Sequence, residues 1–505
     1  MNCNNHANHS LLFPTRRTFA PVTELKSHAI QGAKWSSVAA AATALGGVAQ
    51  LLILARILDR SDFGLMAIAQ VALNLCIQLS DMGLGSAIVR KKTVTLLQLS
   101  SIFWLNLGVA ALLSVVLALL APLLARFYAE PELERMLWLL IPGFWASGAT
   151  GVFLSLLQRG LFFKKIAFAE TVSNLLGLTL SVMLALVGYG VYALIWGVLC
   201  RLGLLLLLCA FFARRLFRPA WVFSRVGISA MWRVGAGVTA DRMLTYVNLN
   251  TDTLLIGKVL GSDALGVYDV ARRLLIQPLF VINPLINKIS FPIMAQVQDD
   301  PLRLRRFALR AIQWVAAVNA PIYMAALTGA SLLVPVLFGV GWDTTVEPFR
   351  WLAVCFFFRT LLNPMGAVVF AKGRLERSVA FQALSLPVFA LCVYVGLYGG
   401  LTAMIQVLAI YYALQLAGYL MWVVRPHAPL DLRRLLEHTG LEALCALVSF
   451  GAAYVLAVYW TSEHVIVQAA TFLALGLGLY AACMYVVRPH MRDEFFQMLR
   501  KTPRV

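Results

Sequence analysis

Apolar runs of twenty or so residues recur along nearly the whole chain, and this limits its fold more than any other feature. At a rise of about 1.5 Å per residue, each run can cross a hydrocarbon core of about 30 Å as one helix. Backbone groups in hydrocarbon must be satisfied within the segment, which a helix does. Composition agrees, with 61% hydrophobic and 13% charged residues over 505 positions. That balance is far from a soluble domain. The fold class is therefore an all-α polytopic membrane protein. The first thirty residues are polar and lack an apolar core followed by a small-residue cleavage site. They read as a soluble tail, with the first span as the insertion signal.

Fourteen spans are expected, at about 35–58, 63–85, 101–125, 135–157, 166–188, 191–213, 231–260, 264–289, 311–338, 348–370, 378–398, 400–424, 440–460 and 465–487. The links between them alternate in charge. Arg90-Lys91-Lys92, Lys164-Lys165, Arg214-Arg215 with Arg218, Arg303 with Arg305-Arg306, and Arg433-Arg434 fall on one side, together with both basic tails. Short neutral or acidic links, such as Asp59-Arg60-Ser61-Asp62, Glu130-Pro131-Glu132 and Trp342-Asp343, fall on the other. Positive loops stay in the cytoplasm, so both termini are expected there. The net charge of +19 sits mostly in these loops, facing anionic membrane lipids. The sequence does not predict a folded basic face with interleaved aromatics, so nucleic acid is not expected as a partner. No outer link exceeds about a dozen residues, too few for an extracytoplasmic catalytic domain.

Seven of the eight cysteines lie in apolar spans without a Cys-x-x-Cys pair, and all seven histidines lie in tails or loops. Disulfide frameworks and metal sites are not expected. No cofactor is expected either.

An internal repeat organises the spans. Leu52-Ile53-Leu54-Ala55-Arg56-Ile57-Leu58, running on to Gly64, matches Leu254-Leu255-Ile256-Gly257-Lys258-Val259-Leu260, running on to Gly266. The offset is 202 residues, and Trp35 and Trp232 open the two spans. A parallel duplication gives two six-helix lobes about an axis along the membrane normal. The expected organisation is a tail at 1–30, a first lobe at 31–213, a basic linker at 214–230, a second lobe at 231–424, two extra C-terminal helices with their preceding loop at 425–487, and a tail at 488–505.

Several spans carry charges. Arg201, Arg242 and Arg359 lie roughly 15 Å into their spans, with Arg272 and Arg273 shallower. An arginine at the centre of a spanning helix costs about 3 kcal/mol on insertion scales. A wet cavity accepting an anion would supply a reason for them. Pairing supplies another: Asp269 precedes Arg272 and Arg273 by three and four residues, on one helix face. Arg359 has no acid nearby in sequence. Asp252, with Asn248 one turn before it, and Asp241 and Asp269 are candidates for coupling to protons or sodium, or for pairing with the arginines.

Phe63-Gly64-Leu65 and Ser80-Asp81-Met82-Gly83-Leu84-Gly85-Ser86-Ala87 resemble the opening signature of Wzx-type polysaccharide flippases, WzxC-like exporters above all. Leu157-Gln158-Arg159 with Phe163-Lys164, Asp252-Thr253-Leu254-Leu255-Ile256-Gly257, Ala264-Leu265-Gly266-Val267-Tyr268, Phe291-Pro292-Ile293-Met294 and Leu337-Phe338-Gly339 extend the likeness over about 30–425. The resemblance implies the multidrug/oligosaccharidyl-lipid/polysaccharide exporter superfamily, whose MATE branch moves drugs. It implies a substrate of undecaprenyl-pyrophosphate-linked oligosaccharide, flipped across the bacterial inner membrane by alternating access. Polysaccharide polymerase and co-polymerase proteins would be neighbours. The arginines would then meet a pyrophosphate or an acidic sugar. A MATE-like drug/cation antiporter is the alternative within transport, and predicts acidic rather than basic cavity residues. A membrane glycan polymerase or ligase is the alternative outside it, and would need larger aqueous loops.

Overall fold

A computed structural model of the chain describes residues 43–81, 83–91, 94–372, 376–460 and 464–489. All regular structure among them is helical. The chain forms two compact units, residues 1–263 and 264–505.

The first unit contains α1 (Thr43–Leu54), α2 (Arg60–Asp81), α3 (Leu84–Arg90), α4 (Leu96–Tyr128), α5 (Pro131–Arg159), α6 (Phe163–Leu186), α7 (Val191–Ala213) and most of α8 (Arg225–Leu275). Local chemistry sets several of the ends. Thr95 and Gln98 form a capping box at the start of α4, which satisfies amides that a helix end leaves orphaned. Between α4 and α5, Ala129 takes a left-handed conformation and Pro131 occupies the first turn of α5, where a missing N–H costs nothing. One apolar core at the basic-loop end gathers Leu84, Ile88, Ile102, Phe103, Phe153, Leu157 and Phe217.

The helix expected to open the second lobe, 231–260, lies within α8 and packs in the first unit. The Tyr246 hydroxyl donates to the Val71 carbonyl at 3.1 Å, and the Tyr128 hydroxyl to the Leu254 carbonyl at 3.4 Å. The α8 helix is not straight: Gly261 takes φ +82°, breaking the helical path there. In the 202-residue register, that glycine stands where Asp59 ends the turn after α1.

The second unit holds the rest of α8, then α9 (Gln277–Gln296), α10 (Pro301–Thr328), α11 (Ala330–Phe338), α12 (Val346–Lys372), α13 (Glu376–Leu397), α14 (Gly400–Tyr419), α15 (Leu432–Trp460) and α16 (Val465–Val487). Asp300 caps α10, accepting from the Leu302 and Arg303 amides at 3.0 and 3.1 Å. The two helices beyond the expected repeat, α15 and α16, pack on α10. The Gln313 side chain donates to Glu442 at 2.8 Å, and the Tyr480 hydroxyl donates to the Ala317 carbonyl at 2.8 Å. Phe450, Ala453, Ala469 and Phe472 join Ala325 and Leu332 in a common core.

Among the described residues, eleven helices are long and apolar enough to cross a membrane, and Thr43–Leu54 is a shorter apolar helix. The expected spans at 231–260 and 264–289 fall in α8 and α9, outside those eleven.

Candidate functional site

Within the first unit, α1, α6 and α7 enclose a cavity of about 140 Å³. Its polar lining comes from Thr43 and Gln50 on α1, Thr171 and Asn174 on α6, and Arg201 on α7. Two pairs of small residues make this geometry. A Cβ at Gly177 would fall 2.7 Å from the Gly197 carbonyl oxygen, and one at Gly197 would fall 1.7 Å from the Ser181 Oγ. Only glycine lets α6 and α7 approach so closely. That approach carries Arg201, one helical turn beyond Gly197, against the backbone of α6.

The cavity polar groups partly satisfy one another. The Asn174 amide donates to the Thr43 Oγ at 3.3 Å, and the Gln50 amide to the Ser181 Oγ at 3.4 Å. No described carboxylate pairs with Arg201. A guanidinium presents five N–H donors and cannot lose its charge. About 15 Å into a spanning helix, it needs water or an anion against it. Among the sequence candidates, this arginine therefore has the clearest setting for an anionic ligand.

The other expected residues fall in different surroundings. Arg359 on α12 is half-buried, with its guanidinium carbon 5.8 Å from the ring centroids of both Phe356 and Tyr412. Aromatic faces attract a cation without neutralising it. Arg273 instead pairs with Asp269 one turn before it on α8. Asp269 is buried while Arg273 is half-buried. Arg272 is also half-buried and is not without a partner. The side chains of Asp241 and Arg242 lie outside the described residues. Asp252 is 5% exposed and accepts from the amide of Thr253 at 2.8 Å. No three metal-ligating side chains cluster among the described residues.

A second feature joins the two copies of the repeated turn. Arg60 Nε lies 3.2 Å from Asp263 Oδ1. A Cβ at Gly64 would fall 1.9 Å from the Ser262 carbonyl oxygen. Ser262 Oγ donates to Glu130, and Lys258 Nζ donates to the Phe127 carbonyl while lying 4.4 Å over its ring. In the repeat register, Ser262 stands at the position of Arg60, so equivalent turns meet face to face.

Sequence reasoning missed Thr43, Gln50, Thr171 and Asn174. The signal was present: Thr43 and Gln50 are seven residues apart, and Thr171 and Asn174 three apart. Each pair shares a helix face. It also missed Glu442, which is fully buried at the α15–α16–α10 junction and pairs with Arg488 at 3.2 Å.

Comparison with known proteins places this architecture. The polysaccharide biosynthesis protein family model matches residues 53–347. The lipopolysaccharide biosynthesis protein WzxC of Escherichia coli strain K12 is 31% identical over 372 residues, which is 74% of this chain and 76% of that protein. The teichuronic acid biosynthesis protein TuaB of Bacillus subtilis strain 168 is 25% identical over 465 residues, covering 90% of this chain and 94% of that protein. Among solved structures, the lipid II flippase MurJ in an inward closed conformation superimposes with a TM-score of 0.72 at 11% identity. That match covers 90% of this chain and 99% of MurJ, and shows a shared fold. The chain thus belongs to the polysaccharide biosynthesis protein family, as a relative of WzxC with the fold of MurJ.

Proposed function

We propose that this protein moves undecaprenyl-pyrophosphate-linked oligosaccharide repeat units from the inner to the outer leaflet of a bacterial inner membrane. The observation that carries the reading is Arg201. It lines a cavity whose wall is otherwise made of glycines, Leu175, Leu178 and Val198 beside four neutral polar side chains, and no described acid pairs with it. A pyrophosphate or an acidic sugar meets it with charge-assisted hydrogen bonds from a planar fork. A cationic drug would be repelled. The cavity hydroxyls and amides of Thr43, Thr171, Gln50 and Asn174 suit a polyhydroxylated head, while the lipid tail stays in hydrocarbon. WzxC and TuaB carry names from polysaccharide synthesis, which supports a glycan cargo.

The basic loops and both termini face the cytoplasm in this reading, and the turns holding Arg60 and Asp263 face outward. The Arg60–Asp263 pair is exposed enough to be worth under about 1 kcal/mol. Asp252 is the buried acid retained as a candidate for proton or sodium coupling. A polymerase and a co-polymerase would receive the flipped unit.

The test is genetic. In a strain lacking the gene, lipid-linked repeat units should accumulate on the cytoplasmic leaflet, and the intact gene should return them to the outer one. Repeat units already outside in the deleted strain would refute the reading and would point to a defect in polymerisation.

A further inference from the structure

The linker after α7 is not a slack connection. Its Phe217 is buried beside Phe103 and Phe153, with ring centroids 6.3 and 5.9 Å away. The Ala220 amide donates to Ser100 Oγ at 3.2 Å, and the Ser224 amide to Ser101 Oγ at 2.9 Å. The Trp104 indole donates to the Ala220 carbonyl at 2.8 Å and stacks on the Trp221 ring at 4.1 Å. Residues 217–224 are thereby strapped to the first turns of α4.

What this strap presents outward is specific. Trp221 is 87% exposed, and Val222 and Phe223 are exposed beside it. Arg214, Arg215 and Arg218 are exposed too, and no acidic residue occurs from 214 to 224. Lys165 extends the same charge, with its Nζ 5.8 Å from the centre of the Phe212 ring near the end of α7. Aromatic side chains interleaved with cations, beginning where an apolar span ends, match the chemistry of the headgroup layer.

We propose that the 214–224 strap is a binding surface for anionic phospholipid headgroups of the leaflet on its own side. Trp221 and Phe223 seat among the glycerol and upper acyl groups, and Arg215 and Arg218 hold the phosphates. The strap is already ordered by Phe217, Ser100, Ser101 and Trp104, so lipid binding loses little conformational freedom. A cytosolic protein partner fits less well, because the exposed rings continue the apolar surface of α7 where lipid lies. The inference does not depend on which cargo is carried; the side of the membrane follows the orientation proposed above.

The test uses the full chain in nanodiscs of phosphatidylcholine with or without phosphatidylglycerol, with lipid brominated near the headgroup end of its chains. The Trp221 contribution is the difference between the wild type and W221F. It should be quenched, more strongly with phosphatidylglycerol. The preference of the protein for phosphatidylglycerol over phosphatidylcholine, counted as bound lipid by native mass spectrometry, should fall in R215Q/R218Q. Each arginine contributes about fivefold, so roughly 30-fold is expected for two, and high salt should shrink the difference. Both side chains are exposed, and monodispersity of the variant verifies its fold. Absence of Trp221 quenching in both lipids, or an unchanged lipid preference in R215Q/R218Q, would overturn the proposal. So would shielding of Trp221 by a soluble cytosolic fraction without quenching by lipid. No glycan enters the measurement, so its failure leaves the flippase reading intact.

Discussion

Arg60 and Asp263 lie on equivalent turns of a duplicated sequence, and their side chains meet with Nε 3.2 Å from Oδ1. The two turns are alike in sequence, and in the structure they touch. Because both side chains are substantially exposed, removal of one charge should have a small effect. Arg60→Ala is expected to reduce polymer export by at most about fivefold, the equivalent of 1 kcal/mol. Arg60→Asp, which sets like charges together near Glu130, should cost more, and the exchange R60D/D263R should recover most of it. Complementation of a deletion strain, read as surface polymer, measures all three.

Gly64 tests the same contact by shape. With 1.9 Å between a Cβ there and the Ser262 carbonyl, Gly64→Ala must push one turn away from the other. A loss of about 1–3 kcal/mol in thermal stability is expected, as for other overpacked sites. Gly203 inside α7 has open space around its Cβ position, so Gly203→Ala should not lower the melting temperature and should raise it slightly, by the equivalent of about 0.5–1 kcal/mol.

Burial makes Glu442 and Arg488 a different kind of pair. Glu442 is fully buried and also receives a hydrogen bond from Gln313. Glu442→Leu leaves the Gln313 amide without its acceptor and Arg488 with only the Glu437 carbonyl, at an expected cost of about 3 kcal/mol. The double variant E442L/R488M should recover much of that, since an apolar pair of similar volume is often as stable. Melting of the detergent-solubilised protein with the three variants decides it.

Arg273 and Asp269 should behave as a unit. Each single alanine variant is expected to lower stability, and the double variant should cost clearly less than their sum. Simple additivity would mean that Arg273 is held by something other than Asp269.

That last pair shows what the sequence carried. A spacing of four residues on one helix is enough to bring two side chains together, and Asp269–Arg273 was legible for that reason. So were the helical class and the alternating loop charges, because both are local properties. The Arg201 cavity was not. It depends on Gly177 and Gly197 letting two helices approach, and on Thr43 and Gln50 arriving from a helix some 150 positions earlier. Arg359 stood out in the sequence for lacking a nearby acid, yet its setting is made by Tyr412 from another helix. Glu442 drew no attention because its partners, Gln313 and Arg488, are 129 and 46 positions away.

The most direct measurement concerns Arg201 and needs only purified components. Lipid-linked oligosaccharide is reconstituted with the protein in sealed liposomes, and transfer to the outer leaflet is followed by its accessibility to an impermeant glycosidase. Wild-type protein should accelerate transfer, Arg201→Lys should retain part of the rate, and Arg201→Ala should abolish it while inserting normally. Transfer by Arg201→Ala at the wild-type rate would contradict the claim that this arginine receives the charged head of the cargo.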